Sequence, residues 1–163
     1  MKVTIRPQRI SDAEYSWKMR KDKDIWKFAI CESPYFPLSL KSEKEFYREQ
    51  IERDDSIRFA ILADSIYVGN VFIDNILEGI GELHAHILNK AFWGKGIGYE
   101  CNRLILEYAF RIAKMKRVYQ YINPSNVAAW KNALKLGFND IGSSPIRPNV
   151  HTFTIKREQW IKE

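Results

Sequence analysis

Residues 91–101, AFWGKGIGYEC, place Gly94, Gly96 and Gly98 around Lys95, between an aromatic pair and an apolar run. A strand ending at Leu88, a glycine-rich turn and then a helix would leave several backbone N–H groups at the helix entrance without intrachain partners. Phosphate oxygens satisfy such groups, and glycines clear the approach while Lys95 adds charge. The same spacing also serves a turn that merely joins strand to helix. It is not GxxxxGK[ST], and it lacks both the x-x interval of GxGxxG and the acidic residue that accompanies it. Neither a nucleoside triphosphatase nor a dinucleotide dehydrogenase is supported.

Just before this stretch, GELHAHIL alternates strictly, with Glu82, His84 and His86 on one face and Leu83, Ala85 and Ile87 on the other. The polar face requires water, a ligand or hydrogen-bond partners, since an unpaired buried carboxylate is costly. Just after it, CNRLILEYAFRIAK changes period, and Cys101, Leu104, Ile105, Tyr108, Ala109 and Ile112 form the stripe of a helix packed on a sheet. VYQYIN then reads as a strand, NPSNVAAWKNALKLGF as a helix ending at Gly137, GSSPIRPNV as a flexible loop, and HTFTIKREQW as a last strand.

Towards the N-terminus, RFAILAD and YVGNVFI read as a hairpin turning near Asp64 and Ser65. VTIRP is a first strand. SDAEYSWKMRKDKD is a helix that Ser11 or Asp12 can cap, with Glu14 placed to cap Ser11 in return. SEKEFYREQIERD is a second helix with Phe46 and Gln50 one turn apart. Between them, Ile30 to Leu38 is an aromatic loop broken by Pro34 and Pro37. The order implies an α+β fold: a mixed sheet with helices on its faces.

A chain of 163 residues, 45% hydrophobic, fits one domain over residues 1–163. No apolar run is long enough to span a bilayer, and MKVTIRPQRISD lacks a secretory signal's apolar stretch, so a cytoplasmic protein without membrane contact is expected. Cys31 and Cys101 form no CxxC unit, and His84, His86 and His151 give only a thin basis for metal, so no metal site is expected. The net charge of +6 favours anions such as a phosphorylated cofactor. Because basic and acidic residues are interleaved, a dedicated nucleic-acid binder is disfavoured.

Two stretches, NKAFWGKGIGYECNRLILEYAF (89–110) and NPSNVAAWKNALKLGF (123–138), together with the element order, resemble the GCN5-related N-acetyltransferase (GNAT) family. Within it, the chain is similar to the branch of ribosomal-protein N-terminal (alanine) acetyltransferases. The resemblance implies a mixed central sheet splayed between its fourth and fifth strands, with acetyl-CoA as cosubstrate. It also implies that Gly94, Lys95, Gly96, Ile97 and Gly98 hold the coenzyme A pyrophosphate. Trp93 stands where the broad family often has Gln or Arg, a substitution similar to the ribosomal branch. The main chain of His86, Ile87 and Leu88 would pair with the pantetheine arm, and Asn123 and Asn126 would reach the arm or the acetyl region. Read locally, Asn126 caps the following helix and Asn123 braces the turn before Pro124.

A neutral amine attacks the thioester carbonyl directly, so the acceptor ammonium must lose a proton to a carboxylate or histidine, directly or through water. Glu82 is the first candidate base and His84 the second, because both lie on the polar face of the strand entering the site. Where the family often has a tyrosine, four residues before the glycine of its GF pair, this chain has Ala133. Water can protonate the leaving thiolate, with Ser125, Tyr119 and Tyr121 as candidate substitutes.

Acceptor choice is expected in Trp26 to Leu38, with Trp26, Tyr35 and Phe36 as candidate walls, and in the loop Ser143 to Val150. The subfamily resemblance favours a protein N-terminal amine. A polyamine, amino sugar or aminoglycoside is the second reading, a polyamine asking for carboxylates and an amino-sugar nucleotide for basic residues such as Lys27 and Arg147. A noncatalytic acyl-CoA sensor and an RNA-binding module complete the alternatives, and homodimerisation is plausible from the family.

Overall fold

A computed structural model describes residues 1–28 and 39–162. Its sheet runs β1-β2-β3-β4-β5-β7-β6, built from β1 (Val3–Pro7), β2 (Ile57–Ala63), β3 (Ile66–Leu77), β4 (Ile80–Ile87), β5 (Arg117–Ile122), β6 (Asn139–Ser143) and β7 (His151–Lys156). All neighbours are antiparallel except β4 and β5. This is the mixed sheet with flanking helices that the element order implied.

The hairpin of β2 and β3 turns at Asp64 and Ser65, whose φ angles of 47° and 68° give the left-handed pair that matches strand twist. On β3, a Cβ at Gly69 would stand 1.9 Å from the His86 carbonyl oxygen, so glycine lets β3 close on the strand carrying the polar row.

The first helix differs from the sequence reading. Asp12 is drawn into a bidentate pair with Arg6 at 2.6 and 3.0 Å and accepts the Arg9 N–H at 2.8 Å. A 3₁₀ turn at Ile10–Asp12 therefore precedes α1 (Ala13–Met19), and Glu14 pairs with Lys44 instead of capping Ser11. The second helix, α2 (Leu40–Ile51), is capped by Ser39, which accepts the Ser42 N–H. It buries Glu43 and Tyr47 and leaves Phe46 and Gln50 half-buried. Tyr47, Tyr67 and Asn70 close a hydrogen-bonded triangle that seats α2 on β3.

On the opposite face α3 (Ile97–Glu107) continues into a π-helical turn at Tyr108–Ile112. The wider turn shifts its own side chains around the helix axis relative to an α-helical continuation. Phe110 is fully buried, whereas Ile112, expected in the packing stripe, is 67% exposed. With α4 (Val127–Leu136), ended by Gly137 at φ 95°, this helix covers the core of Ile61, Val71, Ile105, Leu106, Val118 and Phe153. The tail is not strand throughout. β7 ends at Lys156 and Arg157–Trp160 forms a helical turn, α5, whose Trp160 indole donates to Glu107.

Candidate active site

β4 and β5 pair only at Ile80–Arg117, Gly81–Val118 and Glu82–Tyr119. Beyond Glu82 the two strands part, and the opening is the splay implied between the fourth and fifth strands. A cleft of about 1070 Å³ fills it, reaching from Asp24–Phe28 past the polar face of β4 to the start of α3 and the inner side of α4.

The glycine turn forms one end. Gly94 and Gly96 have φ of 73° and 79°, and a Cβ at either would meet nothing within 4 Å. The left-handed backbone therefore demands glycine at both positions, and the surrounding space is open to a ligand. Gly96 caps α3 without any side-chain hydrogen bond. Such an uncapped, open helix entrance fits a pyrophosphate. Gly98 instead faces α4, where its Cβ would lie 3.4 Å from the Asn132 amide nitrogen.

The expected cofactor residues divide. His86, Ile87, Trp93, Gly94, Gly96, Ile97, Gly98, Asn123 and Asn126 all line the cleft. The Trp93 indole donates to the Ile87 carbonyl at 2.8 Å, occupying one group on the free edge of β4. Leu88 is buried and its amide donates to Val68, so it turns away. Lys95 lies outside the lining, its ammonium 5.4 Å from the Phe92 ring centroid. Asn126 accepts the Ala129 N–H and Asn123 accepts from Ser125, so the local capping roles operate while both face the cleft.

Glu82 and His84 stand together where the strands part, with His84 Nε2 3.3 Å from Glu82 Oε1. The Glu82 side chain is only 5% exposed and that of His84 31%, so the imidazole is the outer member. Burial acts to raise the Glu82 carboxyl, but the His84 hydrogen bond and charge, Arg147 and Asn75 outweigh it and hold it below the usual range. His86, deeper in the row, is pulled down to about 3 by burial, with His84, Arg20 and Arg58 adding to the effect, and is neutral. Trp26 meets His86 edge-on at 5.7 Å and lines the cleft. Tyr35 and Phe36 lie outside the described residues.

Some lining residues escaped the sequence reading. Asn102, one turn along α3 from Gly98, is 9% exposed and its side-chain carbonyl has no hydrogen-bond partner. A polar residue on the buried side of an apolar stripe was the available signal. Phe72, opposite His84 on β3, also lines the cleft. Of the candidate proton donors, Tyr121 lines it too. Ala133 is buried on α4 and offers no proton.

Residues 2–139 match the family model for the acetyltransferase (GNAT) domain. The chain is 28% identical over 156 residues to the probable N-acetyltransferase YjcK of Bacillus subtilis, covering 91% of this chain and 85% of that protein. Its fold superposes with a TM-score of 0.84 on spermidine N-acetyltransferase from Vibrio cholerae in complex with CoA and spermine, at 20% identity and 98% of both chains. A GNAT-family acetyltransferase from Bacillus anthracis superposes at 0.78, with 19% identity over 97% of this chain and 96% of that one.

Proposed function

The chain belongs to the GNAT family of acetyl-CoA-dependent N-acetyltransferases, and we propose that its acceptor is the primary amine of a small molecule, deprotonated by His84 and Glu82. The observation that carries this reading is the His84–Glu82 pair at the parting of β4 and β5, in the same cleft as the glycine turn.

Gly94, Gly96, Ile97 and Gly98 would hold the pyrophosphate, with Asn102 and the edge of β4 addressing the arm. Bound there, acetyl-CoA supplies an acetyl thioester whose carbonyl a neutral amine attacks directly. Ionised Glu82, 3.3 Å from His84 Nε2, favours the tautomer protonated at Nε2, whose Nδ1 lone pair takes the acceptor's proton. Glu82 thus becomes the orienting member of the pair and His84 the base. The leaving thiolate, whose conjugate thiol has an ordinary pKa of about 8.5, takes a proton from water or from Tyr121 in the same cleft.

The ribosomal resemblance pointed to a protein N-terminus, but the relatives favour the small-molecule reading. The Vibrio cholerae fold relative is a spermidine acetyltransferase crystallised with spermine. Trp26 and Phe72 give the cleft apolar walls. Of the carboxylates described along it, Asp24 pairs with Lys90, and Asp74 with Arg53 and Arg58. Glu82 contacts His84 at 3.3 Å and feels the charge of Arg147, so among these carboxylates it is the one facing the reacting end.

Coenzyme A release with acetyl-CoA and a panel of polyamines, arylalkylamines, amino sugars, aminoglycosides and N-terminal peptides tests the proposal. A small amine is expected to give the highest kcat/KM. A peptide exceeding every small amine tenfold would restore the protein acceptor.

A further inference from the structure

The row holding His84 continues across two more strands. Arg58 on β2 opposes Phe72 on β3, and Phe72 opposes His84 on β4. Directly opposed residues share one face of a sheet, so the phenyl ring stands between guanidinium and imidazole. The Arg58 guanidinium carbon is 4.0 Å from the Phe72 ring centroid, and the His84 ring lies 5.0 Å from it at an interplanar angle of 18°. Phe72 also meets His86 at 5.4 Å and 86°. The outer layer is fixed, since Arg58 donates to Asp74 at 2.8 Å and to Gln8 at 3.1 Å.

We propose that Phe72 is a positioning residue for acetyl transfer, its ring clamping the His84 imidazole in the one plane that directs Nε2 to Glu82 and keeps Nδ1 as proton acceptor. A histidine χ2 torsion is intrinsically broad. Parallel contact with Phe72 removes the rotations out of plane, and the 3.3 Å approach of Nε2 to the Glu82 carboxylate chooses between the two in-plane orientations. Neither contact alone does both. Around the pair stand Glu82 and His86 on β4, Asp74 on β3, Arg58 on β2, Tyr119 on β5 and Arg147. The inference rests on the reading of His84 and Glu82 as the proton-accepting pair.

The test is steady-state kinetics across pH for Phe72→Leu, Phe72→Tyr and His84→Ala, with ¹⁵N NMR of the His84 ring. Phe72→Leu is expected to lower kcat by about ten- to a hundredfold, the scale of a misplaced catalytic group, without changing KM for acetyl-CoA. It should also displace the acid limb of kcat/KM and average the two imidazole tautomers. Phe72→Tyr should restore the rate, the limb and the single tautomer. A Phe72→Leu enzyme with wild-type kcat and pH profile, or with only a raised acceptor KM, overturns the inference. If that variant does not fold, Phe72→Met, which keeps apolar bulk without a ring, is read in the same way. Full activity in His84→Ala defeats the underlying reading and the inference with it. An inactive His84→Ala beside an unchanged Phe72→Leu defeats the inference alone.

Discussion

At residue scale, a buried carboxylate, Glu82, holds an outer imidazole, His84, by a single contact, and the proposed function makes the two one unit. Groups that act as a unit fail as a unit. Glu82→Gln and His84→Gln are each expected to lower kcat by about 10²-fold or more, the usual contribution of a positioned base. The double variant should lose little beyond the worse single one, as read from turnover in a double-mutant cycle. Losses that multiply would separate the two residues into independent roles. That the two residues share a face was legible from alternation along β4 alone. Which of them is inner and which outer was not, since only the structure at the splay separates their exposure.

The elements carry the corrections. Apolar spacing placed Ile112 in the packed stripe of α3, but the π-helical turn inserts a residue per turn and presents Phe110 instead. Phe110→Ala should therefore cost about 3–5 kcal/mol in chemical denaturation. Ile112→Ala should stay within about 0.5 kcal/mol. Helix α2 shows the complementary limit of pattern reading, because its buried face contains a carboxylate, Glu43, which hydropathy assigns to solvent. Burial raises the Glu43 carboxyl, while the Arg20 guanidinium at 3.5 Å and the Ser16 hydroxyl only partly offset it. The folded state then holds this proton to higher pH than the unfolded chain. The associated stability is complete below the ordinary carboxyl pKa and lost as pH rises through the folded value. Thermal melts from about pH 4 to 7 should show a shallower decline in Glu43→Gln than in the wild type. An unchanged slope would show that Glu43 does not contribute it.

On the scale of the whole molecule, element order was enough for the α+β sheet and its helices, because strand alternation and glycine turns are local signals, whereas the place of the opening came only with the family resemblance. What no local signal contains is which partners meet across the sheet. The row Arg58–Phe72–His84 joins residues distant in sequence, and the orphan carbonyl of Asn102 gains meaning only beside the cleft. That cleft is shared by the glycine turn and the His84–Glu82 pair, so cofactor and amine are expected to occupy it together. A detour through a cysteine is disfavoured at Cys101, whose thiol burial pushes up to about 12, leaving it unreactive as a nucleophile. The direct test is the initial-velocity pattern with acetyl-CoA and the best small amine varied together. Direct transfer within one cleft predicts intersecting lines, whereas parallel lines, the mark of an acetylated enzyme intermediate, would contradict it.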